Sequence, residues 1–194
     1  MREMISMVVV LTVLAAFSGG ILSALKDSTA DKIESQVLKF QKAPAIAEIF
    51  EEPENDPLAE RFTVEGDDVK LQVFPAKLSD GVTAVAFEAT GAGFGGPIGL
   101  MVGVNVETDE IIAARVTTHV ETPGIGDRAK TDLSFVDQFN GKVLVEADLN
   151  ATGNGGEIDA MSGATVTSVG VCQAAVQAQA LYKKLKPEIV NQIN

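Results

Sequence analysis

The pattern of hydrophobic and polar positions begins with a long apolar run near the amino terminus. Residues 4–25 contain no charged side chain. At a rise of about 1.5 Å per residue, roughly 22 helical residues cover a hydrocarbon core of about 30 Å. A cleaved secretory signal has a shorter apolar region before a small-residue cleavage site, of which Ser23-Ala24 is a poor version. The run therefore predicts an uncleaved transmembrane helix, with a cleaved signal as the alternative.

Basic residues flank this run on both sides. Arg2 precedes it, whereas Lys26 and Lys32 follow it. Because the two sides are so evenly charged, the positive-inside rule does not decide which end of the helix is cytoplasmic. The orientation stays open on charge alone.

Helical spacing continues beyond the apolar run. Apolar residues three and four positions apart predict a helix over residues 27–42, capped by a side chain of residues 27–29. A short second helix is predicted to start at Pro44, because proline suits a first helical position. The acidic, proline-containing residues 51–57 are expected to end it as a solvated boundary.

The middle of the chain has the alternation and residue types of β-strands. Turns are expected at Asp80-Gly81 and over residues 107–110, so the strands are predicted to pair as an antiparallel sheet. The four predicted strands cover residues 69–77, 84–90, 97–106 and 111–119.

A last periodic segment predicts an amphipathic helix over residues 166–185 that stops at Pro187. Together the elements predict an α+β fold, with one amino-terminal transmembrane helix followed by a single domain of antiparallel sheet and flanking helices. We expect an anchor over residues 1–26, a helical connector over residues 27–60 and a ligand-binding domain over residues 61–194. One core is the expectation for a chain of 194 residues.

Composition restricts the chemistry. A formal net charge of −12 argues against nucleic acid as a partner, because no basic surface is available to neutralise phosphates. With Cys172 as its single cysteine and His119 as its single histidine, the chain cannot form an internal disulfide, a thiolate-held iron–sulfur cluster, or a cysteine or multi-histidine metal site by itself. Cys172 is expected to be a small core residue. Any redox chemistry therefore requires an organic cofactor.

Two loops carry glycines. The first, GAGFGGP over residues 91–97, precedes a strand and lacks the strand–turn–helix setting of a dinucleotide fingerprint. The second, HVETPGIG over residues 119–126, follows a strand, and its glycines permit close backbone approach to a flat ligand. An ordinary turn is the alternative. His119 could act as a general base, but a histidine at a strand end more often has a structural role.

Hydroxyl groups crowd the start of the last helix. The segment DAMSGAT over residues 159–165 is followed by Val166, Thr167 and Ser168. Free N–H groups and the helix dipole favour a phosphate here, while Thr167 or Ser168 can cap the first turn. The alternative is that the hydroxyls are caps and nothing more. Since a threonine hydroxyl is a weak nucleophile without an adjacent base, a covalent modification would need another enzyme.

These two motifs, behind one apolar span, resemble those of the FMN-binding G subunit of the Rnf electron-transport complex, and of its paralogue, the C subunit of the sodium-translocating NADH:quinone oxidoreductase. The resemblance covers essentially the whole chain. The Rnf type is favoured because the chain is short, whereas the quinone-oxidoreductase subunit is usually longer between its anchor and its flavin domain. In that family a flavin transferase cleaves FAD, releases AMP and joins FMN by a phosphoester to the last threonine of the motif, which matches Thr165. Ile125 departs from the family, where leucine is common.

The resemblance implies a covalent FMN and its site. Thr122, Gly124 and Ile125 are expected near the isoalloxazine ring, and Asp159 is expected to serve recognition by the transferase. The full set of implied cofactor-binding residues is Thr165, Ser162, Gly163, Ala164, Thr167, Glu121, Thr122, Gly124 and Ile125, with no metal ligand among them.

The resemblance also implies a location and partners. It points to a single-pass protein of the cell inner or cytoplasmic membrane, with the FMN domain on the extracytoplasmic side. Its partners are then the bilayer, the flavin transferase and the other membrane and redox subunits of a ferredoxin:NAD oxidoreductase coupled to sodium or proton movement. Such a subunit relays electrons and does not complete a reaction alone. The alternatives are the quinone-oxidoreductase subunit, an FMN reductase that acts alone, and a membrane-tethered, non-enzymatic binding domain.

The anchor can be tested by extraction and truncation. If residues 4–25 span the bilayer and stay attached, the native protein will resist carbonate extraction and keep its first residues by terminal sequencing. Removing the residues before Asp27 should release a soluble acidic domain, because the apolar span is gone. A mature amino terminus near Leu25 would instead identify a cleaved signal.

Overall fold

The computed structural model describes residues 2–66, 69–79 and 81–193. They form two compact units, which divide between Phe40 and Gln41. Helix α1 covers Arg2–Val37 and none of its residues is buried. Among the described residues this is the one helix long and apolar enough to cross a membrane, with a mean hydropathy of 2.4 over an 18-residue window.

Helix α1 continues without a break beyond its apolar part, and no separate helix begins at Asp27. The hydroxyls of Ser28 and Thr29 each donate to the Leu25 carbonyl at 2.9 Å, so they bond back along an existing helix. The predicted helix start at Asp27 is therefore wrong. A π-helical turn, Leu38–Lys42, and helix α2, Ala43–Ile49, follow. Pro44 stands in the first turn of α2, as predicted.

Five strands form one antiparallel sheet in the order β1-β2-β3-β4-β5. The four predicted strands correspond to β2 through β5, whereas the short edge strand β1 was missed. Strand β5 ends at Val116, earlier than predicted, although Gly99 continues the pairing with Thr117 and Thr118 through bonds of 2.9 and 2.8 Å. The bounds are β1 Phe62–Glu65, β2 Lys70–Lys77, β3 Thr83–Ala92, β4 Pro97–Asn105 and β5 Ile111–Val116.

The predicted turns lie at two ends of this sheet. Asp109 adopts a left-handed φ of 62° between β4 and β5, and its N–H donates to the Asn105 carbonyl at 2.9 Å. The turn over residues 107–110 is thereby confirmed. At the other predicted turn, Asp80 lies outside the described residues.

Helix α5, Thr165–Ile193, packs on one face of the sheet. The aromatic rings of Phe87 and Tyr182 stack across this interface with centroids 5.8 Å apart. The prediction that Pro187 ends the helix is wrong, because Pro187 lies inside it. Ile189 beyond the proline is fully buried, and its burial opposes the cost of the missing backbone hydrogen bond.

Helix α2 covers the opposite face. Its buried Ile46 and Ile49 face β4 and β5, and a Cβ built on Gly103 would overlap the Ile49 side chain. Arg115 of β5 forms an ion pair with Glu48 of α2 at 3.1 Å. Because both faces are covered, β4 is buried continuously from Ile98 to Val104, as a central strand is in a sheet with two apolar faces.

Short helices connect β5 to α5. They are α3, Arg128–Thr131, and α4, Leu133–Val136, with 3-10 turns at Asp137–Phe139 and Thr152–Asn154. Phe135 and Phe139 from this connection are buried in the same core as α5. The fold is therefore α+β, as predicted.

The α5–β3 interface depends on two glycines. A Cβ on Gly170 would lie 2.6 Å from the Ala92 carbonyl oxygen, and one on Gly91 would overlap the Gly170 carbonyl. These obstacles are backbone atoms, which cannot move aside as a flexible side chain can. The start of α5 is thus held directly against the end of β3.

Gly170→Ala should destabilise the protein although alanine favours a helix by about 1 kcal/mol over glycine. Overpacking against the Ala92 backbone should outweigh that gain, so the free energy of unfolding should fall by about 1–2 kcal/mol. Thermal unfolding of the full chain in detergent, followed by circular dichroism, measures the change. Gly153→Ala is the control, since nothing lies within 4 Å of its Cβ position. Equal stability of the two variants would contradict the close approach.

Candidate functional site

A cavity of about 420 Å³ opens where three segments of the second unit meet. The segments are the hairpin between β3 and β4, the loop after β5 and the first turn of α5. This volume is in the range of small-molecule and cofactor sites. The lining residues are Phe94, Glu121, Thr122, Ile125, Gly126, Gly163, Ala164, Thr165, Val166 and Thr167.

The β3–β4 hairpin contributes an aromatic wall. Phe94 is 74% exposed at the mouth of the cavity, flanked by glycines on both sides. A Cβ on Gly95 would overlap the Val120 carbonyl, so the hairpin lies directly against the loop after β5. An aromatic side chain in water at a cavity mouth offers a surface on which a flat ligand can stack.

The loop after β5 is closed by its own backbone. The Thr122 carbonyl accepts bonds from the N–H groups of Ile125, Gly126 and Asp127 at 3.2, 3.0 and 3.3 Å. Gly124 occupies the tip with a left-handed φ of 75°. This turn leaves Ile125 half exposed at the cavity mouth, where it forms a second apolar wall.

The third segment is the start of α5, which begins at Thr165. The Ser168 N–H donates to the Ala164 carbonyl at 2.9 Å, which makes Ala164 the residue that precedes the helix. The prediction that Thr167 or Ser168 caps this helix is wrong, because both lie inside its first turn. Ser168 is fully buried, where its hydroxyl accepts from the Met161 N–H at 2.9 Å and donates to the Ala164 carbonyl at 3.0 Å.

A buried carboxylate joins the three segments. Glu121, only 6% exposed, belongs to the loop after β5. Its Oε1 accepts from the Gly95 N–H of the hairpin at 2.9 Å, and its Oε2 accepts from the Thr167 hydroxyl of α5. A Cβ on Gly126 would lie 2.7 Å from Oε2, so glycine is needed to make room for the carboxylate.

Glu121 is held in its ionised form. Burial by itself raises the pKa of this carboxyl group, but the hydrogen bonds from the Thr167 hydroxyl and from the Gly95 and Phe94 N–H groups, together with His119, outweigh burial and lower the pKa below its ordinary value. Hydrogen bonds donated to an ionised carboxylate are stronger than those between neutral groups.

Most of the predicted site residues come together at this cavity. The two motifs, more than thirty residues apart in sequence, face each other across it. The predicted residues that line the cavity are Thr165, Gly163, Ala164, Thr167, Glu121, Thr122 and Ile125. Sequence reasoning did not name Phe94 and Val166 as wall residues, whereas Gly126 belongs to the loop that was expected to hold the ligand. An isolated aromatic residue among glycines was the available signal for Phe94.

The other predicted residues lie next to the cavity or away from it. Ser162 and Gly124 are exposed neighbours of lining residues. Asp159 has an exposed side chain, and its backbone is held by Gln138 through bonds of 2.8 and 3.1 Å. His119 lies outside the lining and accepts from the Glu121 N–H at 3.3 Å through Nδ1, which fits a structural role.

Cys172 lies on the buried side of α5. Burial raises the pKa of its thiol to about 12, so the group is neutral and unreactive near pH 7. This agrees with the expectation of a core residue.

Comparison with known proteins identifies the family. Residues 93–180 match a family model described as the FMN-binding domain, and this stretch contains every residue that lines the cavity. The G subunit of the ion-translocating oxidoreductase complex of Escherichia coli O157:H7 is 32% identical over 194 residues, which cover 95% of this chain and 93% of that protein. The chain belongs to this family of G subunits. The resemblance of its motifs to the Rnf G subunit is thereby confirmed.

Other members of this G-subunit family match over part of their length. The protein of Stutzerimonas stutzeri is 34% identical over 130 residues, which cover 64% of this chain and 57% of that protein. The protein of Cereibacter sphaeroides is 33% identical over 142 residues, which cover 71% of this chain and 64% of that protein. The chain thus spans less than two thirds of the length of these two relatives.

Solved structures resemble the chain in fold. The C subunit of the Na(+)-translocating NADH-quinone reductase from Parabacteroides distasonis gives a TM-score of 0.52 at 26% identity, covering 63% of this chain and 71% of that chain. Shewanella oneidensis NqrC gives a TM-score of 0.53 at 24% identity, covering 80% of this chain and 76% of that chain.

The stability contributed by Glu121 should depend on pH. A glutamate in an unfolded chain has a pKa of about 4.3, and the folded value lies lower, so the stabilisation is complete above about pH 4.3 and is lost as the pH falls through the folded pKa. Glu121→Gln should therefore lower the free energy of unfolding by about 1–2 kcal/mol at pH 7 and by less in acid.

Thermal unfolding of wild type and variant at neutral and acidic pH, in the same detergent, checks this dependence. Glu146→Gln removes an exposed carboxylate that forms no ion pair with the described residues, and it serves as the control. A difference between wild type and Glu121→Gln that does not shrink in acid would show that charge is not the source of the stabilisation.

Proposed function

We propose that this chain is an electron-relay subunit that carries FMN in the described cavity, joined by a phosphoester to the hydroxyl of Thr165. The observation that carries the proposal is the meeting of both motifs at one cavity, with Thr165 on its wall and apolar side chains at its mouth. Bound FMN supplies the acceptance and donation of electrons, which no side chain of this site can perform.

The residues present fit such a cofactor. Phe94, Ile125 and Val166 offer exposed apolar surface to a planar ring. The first N–H groups of α5 have no intrahelical acceptors, and the positive end of the helix dipole favours the anionic oxygen that a phosphoester keeps. The cavity therefore combines an apolar part for the ring with a polar end for the phosphate.

Accessibility favours Thr165 over its neighbours as the attachment point. Thr167 is 2% exposed and donates its hydroxyl to Glu121, while Ser168 is fully buried with both of its hydroxyl bonds made inside the protein. Ser162 is exposed but does not line the cavity. Thr165 is both exposed and part of the wall, so a separate transferase could reach it without unfolding the helix start.

Membership of the G-subunit family supports a proposal for the membrane location and the partners of the protein. We propose a single-pass protein of the cytoplasmic or inner membrane with α1 as its anchor and the FMN domain on the extracytoplasmic side. Its partners would be a flavin transferase, which recognises the motif through Asp159, and the other subunits of a complex that moves electrons between reduced ferredoxin and NAD⁺ coupled to sodium or proton transport. The protein would not complete that reaction alone.

A second candidate is the corresponding C subunit of a sodium-translocating NADH:quinone oxidoreductase. The fold similarity to the C subunit from Parabacteroides distasonis favours it. Both candidates use the cavity in the same way, so the distinction lies in the partners. Purification of the native complex and identification of its subunits separates the two.

The attachment atom can be tested by co-expressing the chain with a flavin transferase. Fluorescence under ultraviolet light should persist after denaturing electrophoresis, and peptide mass spectrometry should map one FMN to Thr165. Thr165→Ala should lose the fluorescence while unfolding at nearly the same temperature, because an exposed hydroxyl contributes little to the core.

Ser162→Ala and Thr167→Ala are the matched controls, since each removes one hydroxyl of the same region and should keep the label. Thr167→Ala should also lower stability by about 1 kcal/mol through its lost bond to Glu121. Label that persists in Thr165→Ala would show that another hydroxyl is used. Wild-type protein without label, despite an active transferase, would contradict the proposed function.

A further inference from the structure

We propose that Glu121 places a fixed negative charge in the wall of the flavin cavity and thereby lowers the reduction potential of the flavin held there. This role rests on the proposed function, because it acts on the bound FMN. It is distinct from attachment, which uses the hydroxyl of Thr165.

The geometry prevents the carboxylate from leaving the cavity wall. One oxygen is bonded to the Gly95 N–H of the hairpin at 2.9 Å, and the other accepts from the Thr167 hydroxyl of α5. Gly126 and Gly93 enclose the group so closely that a Cβ at either position would overlap or crowd it. A side chain bonded on both oxygens and surrounded by backbone cannot rotate towards solvent.

In the described part of the chain, the charge is not paired with a lysine or an arginine. Among the described residues, the hydrogen-bond donors to the carboxylate are the backbone N–H groups of Gly95 and Phe94 and the Thr167 hydroxyl, and no lysine or arginine forms an ion pair with it. His119 is a titratable neighbour that helps to lower the pKa of this carboxyl group, and its Nδ1 accepts a hydrogen bond from the Glu121 N–H. The depressed pKa of Glu121 supports an ionised group at neutral pH.

A fixed anion affects flavin reduction directly. Uptake of two electrons and one proton leaves the ring with one negative charge, and a second proton neutralises it. A carboxylate in the same partly buried cavity repels that added charge, and the repulsion is stronger than in water because the local dielectric is lower. The oxidised ring is therefore favoured, and the bound flavin becomes a stronger reductant.

The test is a potentiometric titration of the full chain in detergent, labelled by a co-expressed flavin transferase and reduced stepwise with dithionite at pH 7. Flavin absorbance reports the ratio of reduced to oxidised cofactor. At the wild-type midpoint potential, Glu121→Gln should raise this ratio about tenfold, which corresponds to a midpoint about 30 mV higher for a two-electron couple. Glu146→Gln, which removes an exposed carboxylate outside the cavity, should leave the ratio unchanged.

Glu121→Asp separates charge from packing, since it keeps the negative charge and shortens the side chain. The proposal expects the aspartate variant to stay near the wild-type potential. Equal shifts in the aspartate and glutamine variants, or no shift in the glutamine variant, would overturn it. If Glu121→Gln does not fold, Glu121→Ala removes the same charge and leaves room for water at the Gly95 N–H.

Fluorescence after denaturation is measured first in every sample. Absence of label on wild-type protein would contradict the proposed function, and the charge role with it. Equal labelling of wild type and Glu121→Gln with equal midpoint potentials would overturn the charge role alone.

Discussion

The candidate site depends on the buried carboxylate of Glu121. This group lies where the β3–β4 hairpin, the loop after β5 and the first turn of α5 converge, and it accepts a hydrogen bond from the hairpin and another from the helix. An ion taken out of water is tolerated only when its oxygens are satisfied, so each segment must stay in place to keep the others there. One side chain therefore holds together three segments that are distant in sequence.

Direct backbone contact between β3 and α5 brings the three segments together. Gly91 and Gly170 bring β3 and α5 so close that neither position has room for a Cβ. Gly170 lies within two turns of Thr165, so the helix start has little freedom relative to the hairpin that follows β3. Helix α2 covers β4 and β5 on the other face of the sheet, which leaves β4 buried on both sides. The cavity walls are thus positioned by elements that cannot shift independently.

Local patterns predicted the strands β2 to β5 and the helix α5, because alternation and helical spacing are properties of neighbouring residues. The two errors have different origins. Helix α5 passes Pro187 because Ile189 is buried beyond it, which is a contact outside the local pattern. At Asp27 the local signal was ambiguous, since the hydroxyls of Ser28 and Thr29 can cap a new helix or, as here, bond back to Leu25 within a continuous one. The same distinction applies to the site. Both motifs were recognised from sequence, but the bonds that join Glu121 to Gly95 and Thr167 connect separate segments and required the fold.

The burial of hydroxyls at the start of α5 links the fold to the proposed chemistry. A transferase needs a reachable hydroxyl, and the bond between Thr167 and Glu121 removes one from solvent, just as core packing removes Ser168. Among the hydroxyls at the start of α5, Thr165 is thus the one that is both exposed and at the cavity wall. If FMN is joined there, the exposed apolar side chains of Phe94, Ile125 and Val166 would hold its ring at the open side of the cavity, which is the side that a partner exchanging electrons can reach.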